Sequence, residues 1–131
     1  MRKVVLDTNI IVSSFMPSGG NPLQIVNLFY SGKIQIFYSR DVLAEYKRVL
    51  AYERLNIPNA KQTEIIDAIK QAGTMIEPIA STFPMTDTSD RPFYDTAKAA
   101  GAILITGNMK DYPAEPFIMN PADFIKQHKG C

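Results

Sequence analysis

A short apolar segment near the N-terminus ends in an aspartate. Val4, Val5 and Leu6 predict a buried β-strand, Asp7 follows directly, and Ile10-Ile11-Val12 resumes the apolar pattern. Open parallel sheets form their sites at the carboxyl ends of strands. An ionised carboxylate between two apolar segments is costly to bury unless a cation or hydrogen-bond donors meet it. Asp7 is therefore the first candidate for chemistry, and it requires partners from elsewhere in the chain.

Two more carboxylates stand where they could share a site with Asp7. Val42, Glu45 and Val49 fall on one face of a predicted helix, so Glu45 interrupts an apolar stripe. Asp90 stands at the start of a later predicted helix. Each also has an ordinary explanation, because a Glu at the edge of a stripe can extend to water. An Asp at a helix start is likewise a good N-cap.

A further polar group follows a later apolar strand. Thr106, Gly107 and Asn108 come directly after Ala102-Ile103-Leu104-Ile105, which makes Asn108 the counterpart of Asp7 at the end of another strand. A Gly-Asn dipeptide is also a common turn. Asp95 lies on the helix that begins near Asp90, roughly one and a half turns further along.

Carboxylates delivered to one sheet edge by three distant segments favour a metal site. Clustered carboxylates repel and raise one another's pKa unless a cation intervenes. Hard divalent ions such as Mg²⁺ and Mn²⁺ take oxygen ligands and keep several waters. The chain has one histidine and one cysteine, which argues against a zinc site.

Strand and helix patterns alternate along the chain. This alternation predicts a parallel sheet with helices on both faces. Strands are predicted at residues 4–6, 34–38, 75–77, 102–105 and 117–119, and helices from Asn21-Pro22 to Gly32, from Ser39 to about residue 50, at 61–72, at 92–100 and from Asn120-Pro121 to about residue 128, with a connecting loop over residues 79–90. We expect one domain over residues 1–131.

Size and composition are those of an ordinary soluble globular domain. The chain has 131 residues, of which 46% are hydrophobic and 21% charged. No apolar run approaches the roughly 20 residues of a membrane helix, and the N-terminus lacks the pattern of a signal peptide. A single cysteine, Cys131, cannot form an internal disulfide, which fits a cytoplasmic location.

The net charge of +1 is too small to indicate nucleic-acid binding through the overall field of the protein. Such binding would need a local basic face, and the same residues could equally form a solvated surface. Candidates for that face are Arg2, Lys3, Lys33, Arg40, Lys47, Arg48, Arg54 and Lys110. Phe15, Phe29, Tyr30 and Tyr52 could serve an interface, although aromatic residues are more commonly core residues.

Several segments together resemble the PIN-domain family, in particular the toxins of bacterial toxin–antitoxin pairs (VapC-like). The segments are Leu6-Asp7-Thr8-Asn9, residues 39–50 around Glu45, the long block from Asp90 to Ala102, and Leu104-Ile105-Thr106-Gly107-Asn108. The resemblance covers nearly the whole chain. It implies a three-layer α/β/α sandwich with a central parallel sheet and a ribonuclease that depends on Mg²⁺ or Mn²⁺.

The resemblance also implies roles for individual residues. Asp7, Glu45 and Asp90 match the three family acids that are catalytic and hold the metal, and Asp95 competes with Asp90 or adds a ligand. Where the family often has a fourth acid, this chain has Asn108, which could ligate through its amide oxygen or orient a water. Three polar residues near the ligands are expected to hydrogen-bond them: Thr8, Asn9 and Thr106.

These residues predict an endoribonuclease that hydrolyses RNA phosphodiesters with a divalent metal ion. The resemblance implies an RNA substrate, a cognate antitoxin and a homodimer. Two alternatives remain open. The chain could be a catalytically weak or inactive RNA- or protein-binding module because Asn108 removes a charge from the site. It could also be a phosphotransfer domain with Asp7 as acceptor, although Lys110 is then the only candidate lysine after the late strand.

Overall fold

The computed structural model describes residues 1–81 and 88–129, and its described part is built around a parallel five-stranded sheet. All four strand pairings are parallel, and the strand order is β3-β2-β1-β4-β5. The strands are β1 (Arg2–Leu6), β2 (Ile34–Tyr38), β3 (Thr74–Met75), β4 (Ile103–Ile105) and β5 (Ile118–Met119). The architecture is the predicted three-layer α/β/α sandwich.

Helices connect the strands and cover the sheet. They are α1 (Thr8–Ser14), α2 (Gly20–Tyr30), α3 (Arg40–Leu50), α4 (Asn59–Ala72), α5 (Arg91–Ala100) and α6 (Pro121–Lys129). Three short 3₁₀ turns occur at Glu53–Leu55, Thr88–Asp90 and Met109–Asp111. In the described ranges no helix has both the length and the apolar character to span a membrane.

The strand order reverses direction between β1 and β4. From β1 the chain adds β2 and β3 on one side of the sheet, then returns to place β4 and β5 on the other side. Such a reversal opens a crevice outside the carboxyl ends of the two strands at which it occurs, and α/β proteins bind their ligands there. Leu6 pairs with Ile105, so Asp7 and Thr106 both emerge at this crevice.

The core fixes both strands of the crevice. Val4, Val5 and Leu6 are fully buried in β1, and Leu104 and Ile105 are fully buried in β4. When both faces of a strand are buried, all of its residues tend to be apolar, and the sequence shows a continuous apolar run. This is the pattern from which the two strands were predicted.

Helix α3 begins as its sequence predicts. Ser39 is the N-cap, and its Oγ accepts a hydrogen bond from the Val42 amide at 3.2 Å. Val42 and Leu50 are buried, and Tyr46, which lies between them on the same face of the helix, is fully buried as well. At the other end of the core, α5 stops at Gly101, whose φ of +64° favours glycine.

Helix α2 differs from its prediction. It begins at Gly20 rather than at Asn21-Pro22, and Gly19 occupies the N-cap position. The helical spacing of Leu23, Val26 and Tyr30 in the sequence predicts that they share an inward face, but Leu23 and Tyr30 are 41% and 50% exposed. The buried face is Ile25, Val26 and Phe29, because tertiary packing selects a stripe adjacent to the one that the spacing suggested.

The remaining predicted elements shift by a few residues. Strand β3 is Thr74–Met75 rather than 75–77, and α4 begins two residues earlier than predicted. The helical spacing of Ile65, Ile66 and Ile69 in the sequence predicts one apolar stripe, and these three residues form the buried face of α4. Cys131 and residues 82–87 of the predicted connecting loop lie outside the described residues.

Candidate active site

Asp7 is buried in the crevice between β1 and β4. Its backbone amide donates to the Ile105 carbonyl at 3.0 Å, which extends the strand pairing by one residue. Its Oδ2 accepts hydrogen bonds from Thr106 Oγ1 at 2.8 Å and from the Tyr112 hydroxyl at 3.0 Å. The side chain is 7% exposed, so two hydroxyl donors hold this carboxylate in a largely dry setting.

The electrostatic balance at Asp7 favours the protonated form more than water does. Burial raises the pKa of Asp7, and the hydrogen bonds from Thr106 and Tyr112 and the amides of Thr8 and Asn9 oppose that rise without cancelling it. A divalent cation beside the carboxylate would favour its charged form.

Two hydrogen bonds, one made by the Thr106 side chain and one by the Asn9 side chain, connect the segments after β1 and β4. Thr106 Oγ1 donates to Asp7 and accepts from the backbone amide of Asn108 at 3.0 Å. Asn9 Oδ1 accepts from the Gly107 amide at 3.1 Å. These bonds orient the residues around Asp7. The Asn108 residue itself is exposed at the rim.

Two tyrosines belong to the surroundings of Asp7, and sequence reasoning did not identify them. Tyr46, on α3, is fully buried and donates to the Leu6 carbonyl at 2.5 Å. Burial, and then the charge of Asp7, raise the pKa of Tyr46. Burial, and then the charges of Asp7 and Asp90, raise the pKa of Tyr112, so both hydroxyls stay protonated and act as donors.

The Glu45 side chain is turned toward a cation of its own helix. Its Oε1 lies 2.5 Å from Arg48 Nη2, three residues further along α3. The Glu45 side chain is 25% exposed, and that of Arg48 is 56% exposed. Glu45 is thus neither deeply buried nor fully solvated, and Arg48 compensates its charge. The spacing of three residues is the signal from which the sequence could have predicted this pair.

Asp90 and Asp95 have different surroundings on α5. Asp90 occupies the N-cap position, but its side chain forms no capping hydrogen bond. Its charge contributes to the raised pKa of Tyr112, which places it within electrostatic reach of the hydroxyl that binds Asp7. Asp95 is buried, and its Oδ2 accepts from the Ser81 amide at 3.1 Å.

A second residue of α5 holds the same loop residue. Arg91 Nη1 donates to the carbonyl oxygen of Ser81 at 3.0 Å and to its Oγ at 2.6 Å. Arg91 and Asp95 together fix Ser81 against the helix. The carboxylate of Asp95 is therefore engaged in loop structure.

The three predicted acids are not gathered around one point. Within residues 1–81 and 88–129, no group of three or more His, Cys, Asp or Glu side chains lies close enough to hold a metal ion. The donor chemistry around Asp7 nevertheless fits a hard cation. Thr8 Oγ1 is buried without a hydrogen-bond partner beside this carboxylate, and hydroxyl, carboxylate and water oxygens suit Mg²⁺ or Mn²⁺. The full ligand set of Asp7, Glu45, Asp90, Asp95 and Asn108 stays a prediction.

The different surroundings of Asp90 and Asp95 give opposite expectations for their amide variants. We expect Asp90→Asn to weaken Mn²⁺ binding by about 10-fold or more. Asp95→Asn should leave Mn²⁺ affinity within about twofold and lower stability by about 1 kcal/mol, because a neutral oxygen is a weaker acceptor for Ser81. Calorimetric titration and thermal unfolding measure both quantities. The reverse order of metal affinities would make Asp95 the ligand.

Comparison with known proteins identifies the family. A model of the PIN domain family matches residues 3–110, a range that holds Asp7, Glu45, Asp90 and Asn108. The chain is a PIN-domain protein. PIN domains are in general nucleases. Of the two tyrosines near Asp7, Tyr46 lies inside the matched range and Tyr112 lies beyond it.

Relatives in sequence and in structure accompany this match. The PIN domain is 29% identical over 109 residues to the uncharacterized protein MJ1680 of Methanocaldococcus jannaschii, a match that covers 81% of this chain and 70% of that protein. One similar solved structure is FitAB bound to the IR36 DNA fragment, with a TM-score of 0.62, 15% identity, and coverage of 90% of this chain and 94% of the matched chain.

A second similar structure is VapBC2 from Rickettsia felis bound to a DNA fragment from the promoter of the pair. Its TM-score is 0.59 at 18% identity, and the match covers 90% of this chain and 98% of the matched chain. At these identities the two structures establish that the fold is shared. The match to the family model therefore establishes the family, and the two similar structures establish that the fold is shared.

Proposed function

We propose that this PIN domain is an endoribonuclease that requires Mg²⁺ or Mn²⁺ and acts as the toxin of a toxin–antitoxin pair. Membership of a nuclease family supports the reaction class. The resemblance to bacterial toxins supports the biological role. The observation that carries the proposal is the buried carboxylate of Asp7, held by two hydroxyl donors at the crevice between β1 and β4.

The residues of the chain divide the work at this crevice. Asp7, Glu45 and Asp90 would hold the ion with Asn108 as a further candidate ligand, whereas the Asp95 carboxylate binds the Ser81 amide. Thr106 and Tyr112 fix the orientation of the Asp7 carboxylate by donating to Oδ2, and Oδ1 is the oxygen that would bind the ion. When bound, a divalent cation supplies a water of lowered pKa and offsets negative charge on the phosphate oxygens.

The reaction is hydrolysis of an RNA phosphodiester. A water oxygen forms a bond to phosphorus, one bridging P–O bond breaks, and the leaving oxygen takes a proton. The charges of Asp7 and Asp90 both raise the pKa of the Tyr112 hydroxyl, so both carboxylates act on this place and would together attract a cation. Thr8, with its unpartnered buried hydroxyl, and Asn9 complete the polar wall beside Asp7.

The proposal extends to partners and location. A toxin of this kind has a cognate antitoxin that covers the site, and we propose a homodimer as its assembly. Leu23 and Tyr30, both exposed on α2, offer apolar surface for such an interface. VapBC2, one of the structures with this fold, is by its name an assembly of two components. An RNA substrate and a single cysteine agree with a cytoplasmic location.

Cleavage of single-stranded RNA tests the proposal. The purified protein should cleave a mixed-sequence oligoribonucleotide with Mg²⁺ or Mn²⁺, lose that activity in EDTA, and regain it when excess Mn²⁺ is added. The Lys70→Gln variant is a control that should cleave like the wild type, because Lys70 is exposed in the last turn of α4, just before β3 and therefore at the amino ends of the strands. Cleavage that persists in EDTA would contradict the metal requirement.

A second candidate function is a PIN-fold binding module with little or no catalysis. Two points favour it: Asn108 stands where the family resemblance implies a fourth acid, and the described residues hold no three-carboxylate cluster. Calorimetric titration with Mn²⁺ separates the two functions. Binding at micromolar to low millimolar Mn²⁺ supports the nuclease, and no binding at several millimolar supports the module.

A further inference from the structure

Two arginines surround one tyrosine at the end of α3. The guanidinium carbon of Arg48 lies 5.6 Å from the centroid of the Tyr52 ring, and that of Arg54 lies 5.2 Å from it. Arg48 also donates through Nη1 to the Tyr52 hydroxyl. Tyr52 is half-buried, while both arginines are exposed. The ring therefore holds two guanidinium groups in place at the surface.

The charge of this group is only partly compensated. Arg48 pairs with Glu45, but in the described part of the chain Arg54 forms no ion pair. Lys47 is exposed on the same helix end, and Glu53 is the exposed acid next to Arg54 in sequence. Two cations that are fixed on an aromatic ring lose little side-chain entropy when they bind an anion, because their stems are already ordered.

Arg48 connects the group to Glu45, one of the proposed metal ligands. One Nη of Arg48 is bonded to Glu45, a predicted metal ligand, and the other is bonded to Tyr52. Guanidinium forks match phosphate oxygens in a bidentate manner, and guanidinium planes stack on unpaired bases. Exposed arginines arranged on an aromatic platform beside a nuclease site have the chemistry of a single-strand binding surface.

We propose that Arg48 and Arg54, positioned by Tyr52, form a subsite that binds the backbone of the single-stranded RNA substrate. The RNA strand extends from Glu45 toward these two arginines. The proposal rests on the proposed ribonuclease function and names where the substrate binds. Glu45 competes with the RNA phosphate for Arg48. Removal of the Glu45 charge therefore strengthens RNA binding, and removal of either arginine weakens it.

Fluorescence anisotropy of a short fluorescein-labelled oligouridylate in EDTA tests the subsite without cleavage. We expect Arg48→Gln and Arg54→Gln each to weaken binding by about 5-fold or more. Each should also reduce the slope of log K against log salt by about 0.7, the value of one phosphate contact on a single strand. Glu45→Gln should strengthen binding by about 2-fold or more because it releases Arg48.

Tyr52 is a positioning residue, and its variants test that role. Tyr52→Leu removes the platform and should weaken binding as the arginine variants do. Tyr52→Phe keeps the ring and should retain most of the affinity. Lys70→Gln, at the amino ends of the strands, removes one exposed charge as a matched control and should change neither affinity nor slope by a comparable amount.

The outcomes separate this subsite from the nuclease activity. Binding is measured in EDTA, so it does not depend on cleavage. If the protein never cleaves RNA but its variants show this binding pattern, the proposed ribonuclease function is refuted and the subsite is retained. Equal losses in Arg48→Gln and Lys70→Gln would overturn the subsite, because they would indicate attraction by net charge alone. Unchanged affinity in both arginine variants with a normal melting temperature would overturn it as well.

Discussion

The Asp7→Asn variant is expected to lose Mn²⁺ binding and RNA cleavage and to become more stable than the wild type at neutral pH. Asn is nearly isosteric, and its amide oxygen can still accept from Thr106 and Tyr112. The charge that attracts a cation is gone. Mutation of a residue that only hydrogen-bonds a metal ligand typically lowers metal affinity or activity by about 10–100-fold. Loss of the ligand Asp7 itself should therefore reduce cleavage by about 100-fold or more.

The gain in stability follows from the pKa of Asp7. Burial raises this pKa in the folded protein above its ordinary value of 3.8. When pH rises from below 3.8 through the folded pKa, the unfolded chain releases its proton first and the folded state must then ionise a buried group. Stability therefore falls across this window and stays lower at neutral pH. Asn removes that loss, so a buried functional carboxylate is retained at the expense of stability.

Thermal unfolding of wild type and Asp7→Asn across pH measures this effect. The variant should melt a few degrees higher at pH 7, since about 1 kcal/mol shifts the midpoint of such a domain by roughly 2–8 °C. The difference should vanish at pH values below 3.8, where both side chains are neutral. Saturating Mn²⁺ should raise the midpoint of the wild type only. A variant that is less stable at pH 7 would contradict the account of Asp7.

The Thr106→Val variant is expected to damage both stability and the site. Thr106 is fully buried, and its hydroxyl donates to Asp7 and accepts from the Asn108 amide. Valine keeps the shape and leaves both partners without this contact. We expect a loss of about 1–3 kcal/mol in the free energy of unfolding. We also expect Mn²⁺ binding weaker by about 10–100-fold, because Asp7 loses one of the two donors that orient it.

Thr96→Val is the matched control for this substitution. Thr96 is also fully buried, but its hydroxyl donates to the Pro92 carbonyl at 2.6 Å within α5. Its loss should lower stability by about 1 kcal/mol or less, since that carbonyl also belongs to the helix. Mn²⁺ affinity should not change. Equal effects of both variants on Mn²⁺ affinity would indicate that they act through general destabilisation rather than through Asp7.

The strands and the position of Asp7 could be predicted because the sequence pattern there has one physical solution. Val4-Val5-Leu6 and Ile103-Leu104-Ile105 are short, continuous apolar runs followed by polar residues. Such runs suit strands buried on both faces of a parallel sheet. Helix ends with a side-chain cap, such as Ser39, were equally readable. The buried stripe of α2 was not, because two neighbouring stripes were both apolar and packing chose between them.

The partners of Asp7 were only partly accessible to sequence reasoning. Thr106 was expected near the ligands, since it follows a neighbouring strand. Tyr112 lies 105 residues from Asp7, after a 3₁₀ turn that no periodicity predicts, and nothing in the sequence marks its hydroxyl. The engagement of Asp95 with Ser81 was also hidden, because a loop residue fixed by α5 has no local signature.

The most direct test of the account is the location of Mn²⁺ by anomalous scattering in crystals soaked with the ion. We expect an anomalous peak in the crevice between β1 and β4, with Asp7 Oδ1 at about 2–2.5 Å from the ion and Thr106 still bonded to Oδ2. Asp90 should be a direct or water-mediated ligand. A protein saturated with Mn²⁺ in solution whose anomalous peak lies away from Asp7 would contradict the central claim.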